Sequence, residues 1–533
     1  MLAPSAHVDT FTRDNLPPVD AWPPLIFDPA VFGSSQPYPD RLNAAVELLD
    51  RTIETHGADR RALVFPGGSW TYGELHDHVA RLANLLTSEF GIVPGNRVLL
   101  RMPNNQWLVA AWLAVLKTGA VAVTSMPALR AAELRTVRDI ARVTASLVDH
   151  RFAEDWAAAG IGPGAMIGGA EDLVARLKHY PAEFAAVDTA ADDVAMLAFT
   201  SGTTGRPKAT MHFHRDLLAT CDTFSAHIVR PTADDLFVGS PPIGFTFGLG
   251  GLVLFPMRAG AATLLVERPT PDALVAAIAE YGATVLFTAP TAYRAMLAVP
   301  DANFASLRRC VSAGAPLSLA TWQAFFDRTG CRIIDGIGST EMLHIFVSCA
   351  DDDIRPGATG RPVPGYQACV LDDDGHEVPD GTLGRLAVRG PTGCRYLNDE
   401  RQSSYVQHGW NLTGDTYLRD ADGYFWYQAR NDDMIISAGF NIAGPEVEAA
   451  LLTHPDVMEC AVIGAPDEER TMIVHAFVVM RPGATIDAAA LQEHCRRTIA
   501  PYKMPRVVEF IEALPRTTTG KVQRYRLREM VAR

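Results

Sequence analysis

FTSGTTGRPKAT, residues Phe199 to Thr210, is the stretch on which the reading of this chain turns. It holds three glycines or prolines, five hydroxyl side chains and one lysine in twelve positions. Glycines let a ligand come close to the backbone, and free amides, hydroxyls and an ammonium are what a phosphate needs. It is not the common nucleotide-triphosphate loop, which wants G-x-x-x-x-G-K followed by Ser or Thr. Here Lys208 follows Pro207 and precedes Ala209. Just upstream, VAMLAF (Val194 to Phe199) is a short apolar run of the buried-strand kind. Ligands on open α/β sheets collect at the carboxyl ends of strands, so the stretch points to an α/β fold.

The flanking pattern agrees. ATLLV (Ala262 to Val266), TVLFT (Thr284 to Thr288), RRCVS (Arg308 to Ser312) and RIID (Arg332 to Asp335) read as further buried strands. PDALVAAIAEY (Pro271 to Tyr281) and LATWQAFFDRT (Leu319 to Thr329) read as helices between them. Such alternation implies a mostly parallel sheet covered on both faces. An earlier set, WTYGELHDHVARLANLL (Trp70 to Leu86), RVLLRM (Arg97 to Met102) and VAVTSM (Val121 to Met126), is expected to form a second sheet. From about residue 355 turns and short strands predict a small β-rich subdomain. A last unit of about a hundred residues follows RNDDMIISAGFNI (Arg430 to Ile442), with MECAVIGA (Met458 to Ala465) and IVHAFVVM (Ile473 to Met480) as its strands.

Composition narrows the function. The chain of 533 residues is long enough for several domains, and 48% hydrophobic with 20% charged residues is the balance of a globular protein. A formal net charge of −14 argues against nucleic-acid binding, which needs a basic face. The eight cysteines are scattered singly with no CxxC pair, which argues against a zinc ribbon or redox motif and fits the cytoplasm. The N-terminus lacks the basic and apolar run of a signal peptide. The most apolar stretch, Gly244 to Val266, is broken by Pro256 and Arg258, so it reads as helix plus strand and no membrane partner is expected.

Two more glycine-rich turns are expected to follow strands: SAGAPL (Ser312 to Leu317) and DGIGSTE (Asp335 to Glu341). With TSGTTGRPK, TGD (Thr413 to Asp415), RNDDMI and PRTTTGK (Pro515 to Lys521), they form six motifs in order. This series resembles the signature of the adenylate-forming superfamily of acyl-CoA synthetases, peptide-synthetase adenylation domains and luciferases. DGIGSTEMLHIF and FTFGLGG (Phe245 to Gly251) look most like the benzoate and 2-aminobenzoate CoA ligases. The resemblance implies a large N-terminal domain (residues 1–431) of two stacked, mostly parallel α/β sheets with a small β-barrel-like subdomain. A small mobile α+β C-terminal domain (432–533) would follow. It implies ATP, Mg²⁺ and coenzyme A as cofactors, and two half-reactions. A carboxylate attacks the α-phosphate of ATP to give acyl-adenylate and pyrophosphate; the CoA thiol then displaces AMP.

By the same resemblance, Thr200, Ser201, Gly202, Thr203, Thr204 and Lys208 would wrap the β- and γ-phosphates. Glu341 would hold Mg²⁺, with Thr340 near the α-phosphate. Gly314, Ala315 and Pro316 on one side and Asp335, Gly336 and Ile337 on the other would sandwich adenine. Asp415 and Arg430 would bind the ribose. Lys521 would bridge carboxylate and α-phosphate, where an ammonium neutralises developing charge. Asp432 would be the hinge on which the last domain swings, withdrawing Lys521 and presenting residues 437–442, with Gly439 letting pantetheine pass. Thr246, Phe247, Phe255, Gly338, His344 and Ile345 would line a flat apolar aryl pocket. Thr246, where a small alanine is expected in a benzoate ligase, would face an ortho substituent, making 2-aminobenzoate the first substrate and benzoate the second. His212 and His214 form an H-x-H pair that is expected to be structural.

The partner implied is a small aromatic carboxylic acid; a homodimer is left open. Three other readings stand beside the ligase: a stand-alone adenylation enzyme that loads an aryl acid onto a carrier protein, a binding protein on a retired scaffold, and an oxidative luciferase. The joint presence of Lys208, Glu341, Asp415, Arg430 and Lys521 argues against the retired scaffold.

Overall fold

In the computed structural model of the protein, Val194–Thr200 is the expected strand, but its partner across the glycine-rich stretch is another strand, Lys208–Phe213, paired antiparallel. The phosphate-type loop therefore closes a hairpin and does not lead into a helix. The structure describes residues 3–170, 172–200, 207–430, 433–437, 440–467, 470–499, 501–517 and 520–531. Ser201, Gly202, Thr203, Thr204, Asp432 and Gly439 lie outside the described residues.

The hairpin ends a six-stranded sheet in the order Gly164–Ile167, Ala145–Asp149, Arg97–Arg101, Val121–Ser125, Val194–Thr200, Lys208–Phe213, parallel except for that last pair. A second, nine-stranded sheet is parallel from Ile333–Gly338 through Arg309–Ser312, Val285–Thr288, Leu236–Gly239 and Ala262–Leu264 to Arg61–Phe65. Two sheets were expected, but their membership differs. Val194–Thr200 joins the earlier strands, and Arg61–Phe65 joins the later ones. Short apolar strands look alike in sequence, and crossovers, not chain order, decide which sheet each enters.

Both helices predicted between strands, Pro271–Tyr281 and Leu319–Thr329, form with the expected bounds. Each is bracketed by a capping side chain, Thr270 or Ser318, and by a left-handed glycine, Gly282 or Gly330. Helix Gln106–Lys117 is buried from Leu108 onward on every side, as befits an element enclosed between layers. It packs on helix Tyr72–Ser88, which opens with a capping box of Thr71 and Glu74. The most apolar stretch of the sequence folds as helical segments from Thr246 to Ala259 followed by strand Ala262–Leu264. No helix among the described residues is long and apolar enough to cross a membrane.

The chain divides into two compact units, Met1–Ala368 with Val388–Asn411, and Cys369–Ala387 with Leu412–Arg533. Both large sheets belong to the first. Strands Gln367–Leu371, Leu383–Arg389, Val406–Gln407, Trp410–Arg419 and Phe425–Arg430 fill the turn-rich stretch. In the second unit, the sheet order is Phe440–Ile442, Ile435–Ser437, Thr471–Met480, Val457–Asp467, with Val507–Phe510 beside Thr471–Met480. Helices Gly444–Leu452 and Ala488–Thr498 cover a core of Ile435, Val447, Leu451, Val462 and Leu491. This is the α+β unit expected at the C-terminal end.

Candidate active site

Lys208 opens the strand that leaves the phosphate-type loop. Its ammonium donates to the Tyr396 hydroxyl at 2.7 Å, and that hydroxyl donates to Glu341 Oε1 at 2.5 Å. The direct Lys208–Glu341 separation is 3.8 Å. Lys208 also stands 4.5 Å from the centre of the Tyr396 ring, a cation–π arrangement. Burial and the neighbouring Glu341 charge hold the Tyr396 phenol far above its ordinary titration range, so it remains a donor. Glu341 thus offers a hard carboxylate beside a fixed ammonium, a donor set that fits Mg²⁺ carried by a polyphosphate.

Glu341 sits in the turn between strands Ile333–Gly338 and Ile345–Ser348. The sequence reading placed Asp335 to Gly338 in a glycine-rich turn. The structure corrects this: these residues are strand, paired antiparallel with Ile345–Ser348, and the turn begins at Ser339. The glycines serve close approach between strands. A Cβ on Gly336 would lie 2.7 Å from the Ile345 side chain, and one on Gly338 would lie 2.5 Å from the His344 carbonyl oxygen. Gly314, Ala315 and Pro316 form the expected exposed turn after strand Arg309–Ser312. Asp335 and Leu317 line a cleft closed by Cys349 and the segment Arg355 to Gly360. Asp335 as a whole keeps some exposure, but its Oδ1 is enclosed without a hydrogen-bond partner. Burial pushes this carboxyl up to about 7, the Gly336 backbone amide offsetting part of the rise.

His344 leaves the same turn. Its ring centre lies 4.6 Å from that of Phe255, 5.2 Å from Phe224, 5.7 Å from Phe247 and 6.4 Å from Phe287. Neither ring nitrogen meets a hydrogen-bond partner, and burial lowers the imidazole to about 3, so it is neutral at physiological pH. Phe247, Phe255, His344 and Ile345 were expected here, with buried Thr246 at the start of its helix and Gly338 exposed. Phe224, Phe287 and Gly250 were not expected. A Cβ on Gly250 would meet His344 Cδ2 at 2.3 Å, so this glycine lets the ring lie against the helix.

In the second unit, Asp415 and Arg430 stand opposite each other on a hairpin, joined at 3.1 Å. Arg430 also donates to the Thr413 carbonyl at 3.1 Å, which braces the T-G-D turn. Burial raises the Asp415 carboxyl, with Arg430 and, more weakly, Lys521 pulling it back. Lys521 is exposed on a turn in which its amide donates to Thr517 Oγ1 at 3.1 Å and its carbonyl accepts from the Thr517 amide at 2.8 Å. His212 and His214 are fully buried, each lowered to about 3 by burial, and His214 Nδ1 accepts from the Ala44 amide at 3.1 Å. Neither belongs to a metal-type cluster among the described residues.

The arrangement has clear relatives. Residues 49–396 match the family model of the AMP-binding enzyme, and residues 446–521 match that of the AMP-binding enzyme C-terminal domain. The benzoate–CoA ligase of Thauera aromatica is 34% identical over 507 residues, covering 92% of this chain and 96% of that protein. Among solved structures, the anthranilate CoA ligase AuaEII in complex with anthranoyl-AMP superposes with a TM-score of 0.89 at 32% identity, covering 93% of this chain and 98% of that one. ATP-bound MatB from Rhodopseudomonas palustris gives a TM-score of 0.85 at 31% identity, covering 92% and 99%. The chain belongs to the AMP-binding enzyme family. The activity that membership carries is AMP-forming acid–CoA ligation.

Proposed function

We propose that the protein is an aryl-CoA ligase that activates 2-aminobenzoate, with benzoate as the runner-up. The observation that carries the aryl reading is the neutral His344 enclosed by four phenylalanine rings, a flat apolar slot with one polar edge. Benzene-ring carboxylates fit such a slot, since rings pack well edge-to-face against aromatic neighbours. The relatives acting on benzoate and anthranilate support the same reading.

In the first half-reaction, the carboxylate attacks the α-phosphate. Lys208 holds the leaving phosphates, Lys521 neutralises charge at the reacting centre, and Thr340 stands near the α-phosphate. Mg²⁺ bound with the nucleotide would be held by Glu341 and would spread the phosphate charge. The turn Gly314–Pro316 and the strand residues Asp335 to Ile337 would hold adenine, and Asp415 with Arg430 the ribose. In the second half-reaction the CoA thiolate attacks the acyl carbon and AMP leaves, with Asp432 as hinge and Gly439 beside pantetheine.

The test is AMP formation with Mg·ATP on benzoate, 2-aminobenzoate, 2-hydroxybenzoate and a medium-chain fatty acid, each with and without CoA. Strong CoA-dependent turnover of one aryl acid is expected. Pyrophosphate exchange without a response to CoA would move the acceptor to a carrier protein. Thr246→Ala should reduce the preference for 2-aminobenzoate over benzoate by tenfold or more, since a matched polar group discriminates more strongly than shape, which gives roughly 10–200-fold. An unchanged preference would remove Thr246 from the reading.

A further inference from the structure

Tyr396 is the one group that touches both charges of the phosphate end. It is 1% exposed. Its hydroxyl accepts from Lys208 Nζ at 2.7 Å and donates to Glu341 Oε1 at 2.5 Å. The residue is mounted firmly. The segment around it runs antiparallel beside strand Lys208–Phe213: the Met211 amide donates to the Arg395 carbonyl at 2.8 Å and the Leu397 amide to the Ala209 carbonyl at 2.9 Å. Arg395, fully buried, pairs with equally buried Asp216. The Tyr396 amide donates to Gln402 Oε1 at 2.9 Å, and its ring packs edge-on against Tyr405 at 5.8 Å. A tyrosine serving only to fill space would need its ring alone. Here the hydroxyl is spent on the two charges.

We propose that Tyr396 is a positioning residue for the phosphate end of the nucleotide, its hydroxyl holding the Lys208 ammonium and the Glu341 carboxylate 3.8 Å apart and ready for phosphate and Mg²⁺. Without the hydroxyl the two charges, each largely enclosed, would close on one another. Coulomb attraction grows as their distance shrinks, so an incoming triphosphate would first have to break a tighter pair. With the hydroxyl in place, phosphate oxygen takes over the ammonium and the cation takes over the carboxylate, and each loses only a neutral partner. This inference rests on the ligase reading above, but it concerns a step that binding measurements isolate from turnover.

The test is calorimetric titration of the full chain with MgATP, magnesium pyrophosphate, AMP, and ATP in EDTA. Tyr396→Phe keeps the ring and its cation–π contact. It should weaken MgATP and magnesium pyrophosphate by about tenfold, the loss of one charge-assisted hydrogen bond, while AMP binding stays within about twofold. The difference between MgATP and ATP in EDTA should shrink. Tyr396→Gln, which carries an acceptor and a donor, should recover part of the loss, and it serves as the informative variant should the phenylalanine chain not fold. Equal weakening of AMP and MgATP would overturn the proposal, because that is what general loosening of the site does. Unchanged MgATP affinity in Tyr396→Phe would overturn it as well. Failure of the unaltered protein to bind MgATP would overturn the functional reading and this inference together, a result distinct from equal binding by both proteins.

Discussion

Asp335 is a carboxyl that folding makes harder to ionise. Its ordinary value is 3.8, and burial lifts it to about 7. A carboxyl raised on folding holds its proton more tightly in the native state. Below about pH 4 both states are protonated and the site is neutral to stability. Between about 4 and 7 the unfolded chain has released its proton and the folded one has not, so stability falls as pH rises. Above 7 the full penalty applies, at most about 4 kcal/mol for a shift of this size. Asp335→Asn should therefore raise the unfolding midpoint at pH 8 and leave it nearly unchanged at pH 4, read by thermal melts across pH. A stabilisation of equal size at both pH values would remove ionisation as the cause. At this scale much of the site was legible in the sequence. Lys208, Glu341, His344, Asp415 and Arg430 each sit in or beside a short contiguous motif. Tyr396 was not legible, because it lies 188 residues from Lys208 and 55 from Glu341, and no local pattern announces a side chain whose partners are supplied by other elements. Phe224 and Phe287 were missed for the same reason: a buried phenylalanine in a helix or strand reads as core wherever it points.

At the scale of elements, the helical segment Gly250–Leu254 and the turn bearing His344 are fitted to one another through the absence of a side chain at Gly250. A methyl group there would stand 2.3 Å from Cδ2 and 2.5 Å from Nε2 of His344, and 3.0 Å from Phe255. The imidazole would have to move, and its other neighbours are phenylalanine rings with little room to give. Overpacking of a core costs about 1–3 kcal/mol, and here the cheapest relief is rotation of the ring into the acyl slot. Gly250→Ala should raise KM for the aryl acid by tenfold or more while leaving the Kd for MgATP little changed. A parallel loss of both would mean that the fold, not the slot, absorbed the strain. Elements themselves were read well where period and punctuation agreed, as in helices Pro271–Tyr281 and Leu319–Thr329. The D-G-I-G run was misread as a turn because glycine marks both turns and tight strand contacts. Only the partner, Ile345, tells which applies.

At the scale of the whole molecule, the residues assigned to chemistry are divided between the two compact units. The first carries Lys208, Glu341, His344 and the exposed turn at Gly314; the second carries Asp415, Arg430 and Lys521. The order of motifs along the chain was legible as a resemblance, but compactness was not, since residues 369–387 and 412–430 group with the C-terminal unit through contacts that no sequence boundary marks. The division allows the two half-reactions to be separated by a single substitution. Lys521 is held by its own backbone, through the two bonds to Thr517, so removal of its side chain leaves the turn intact. An ammonium aimed at developing charge is typically worth about two to three orders of magnitude in rate. Lys521→Ala should therefore slow acid-dependent pyrophosphate exchange by about that factor. Supplied with chemically prepared acyl-adenylate and CoA, the same variant should release AMP at close to the unaltered rate, because the thiolate attack occurs at the acyl carbon after pyrophosphate has gone. Comparable losses in both assays would show that Lys521 acts in thioester formation as well, and the assignment of one lysine to one step would fall. Comparable rates in both would remove Lys521 from the reacting centre altogether.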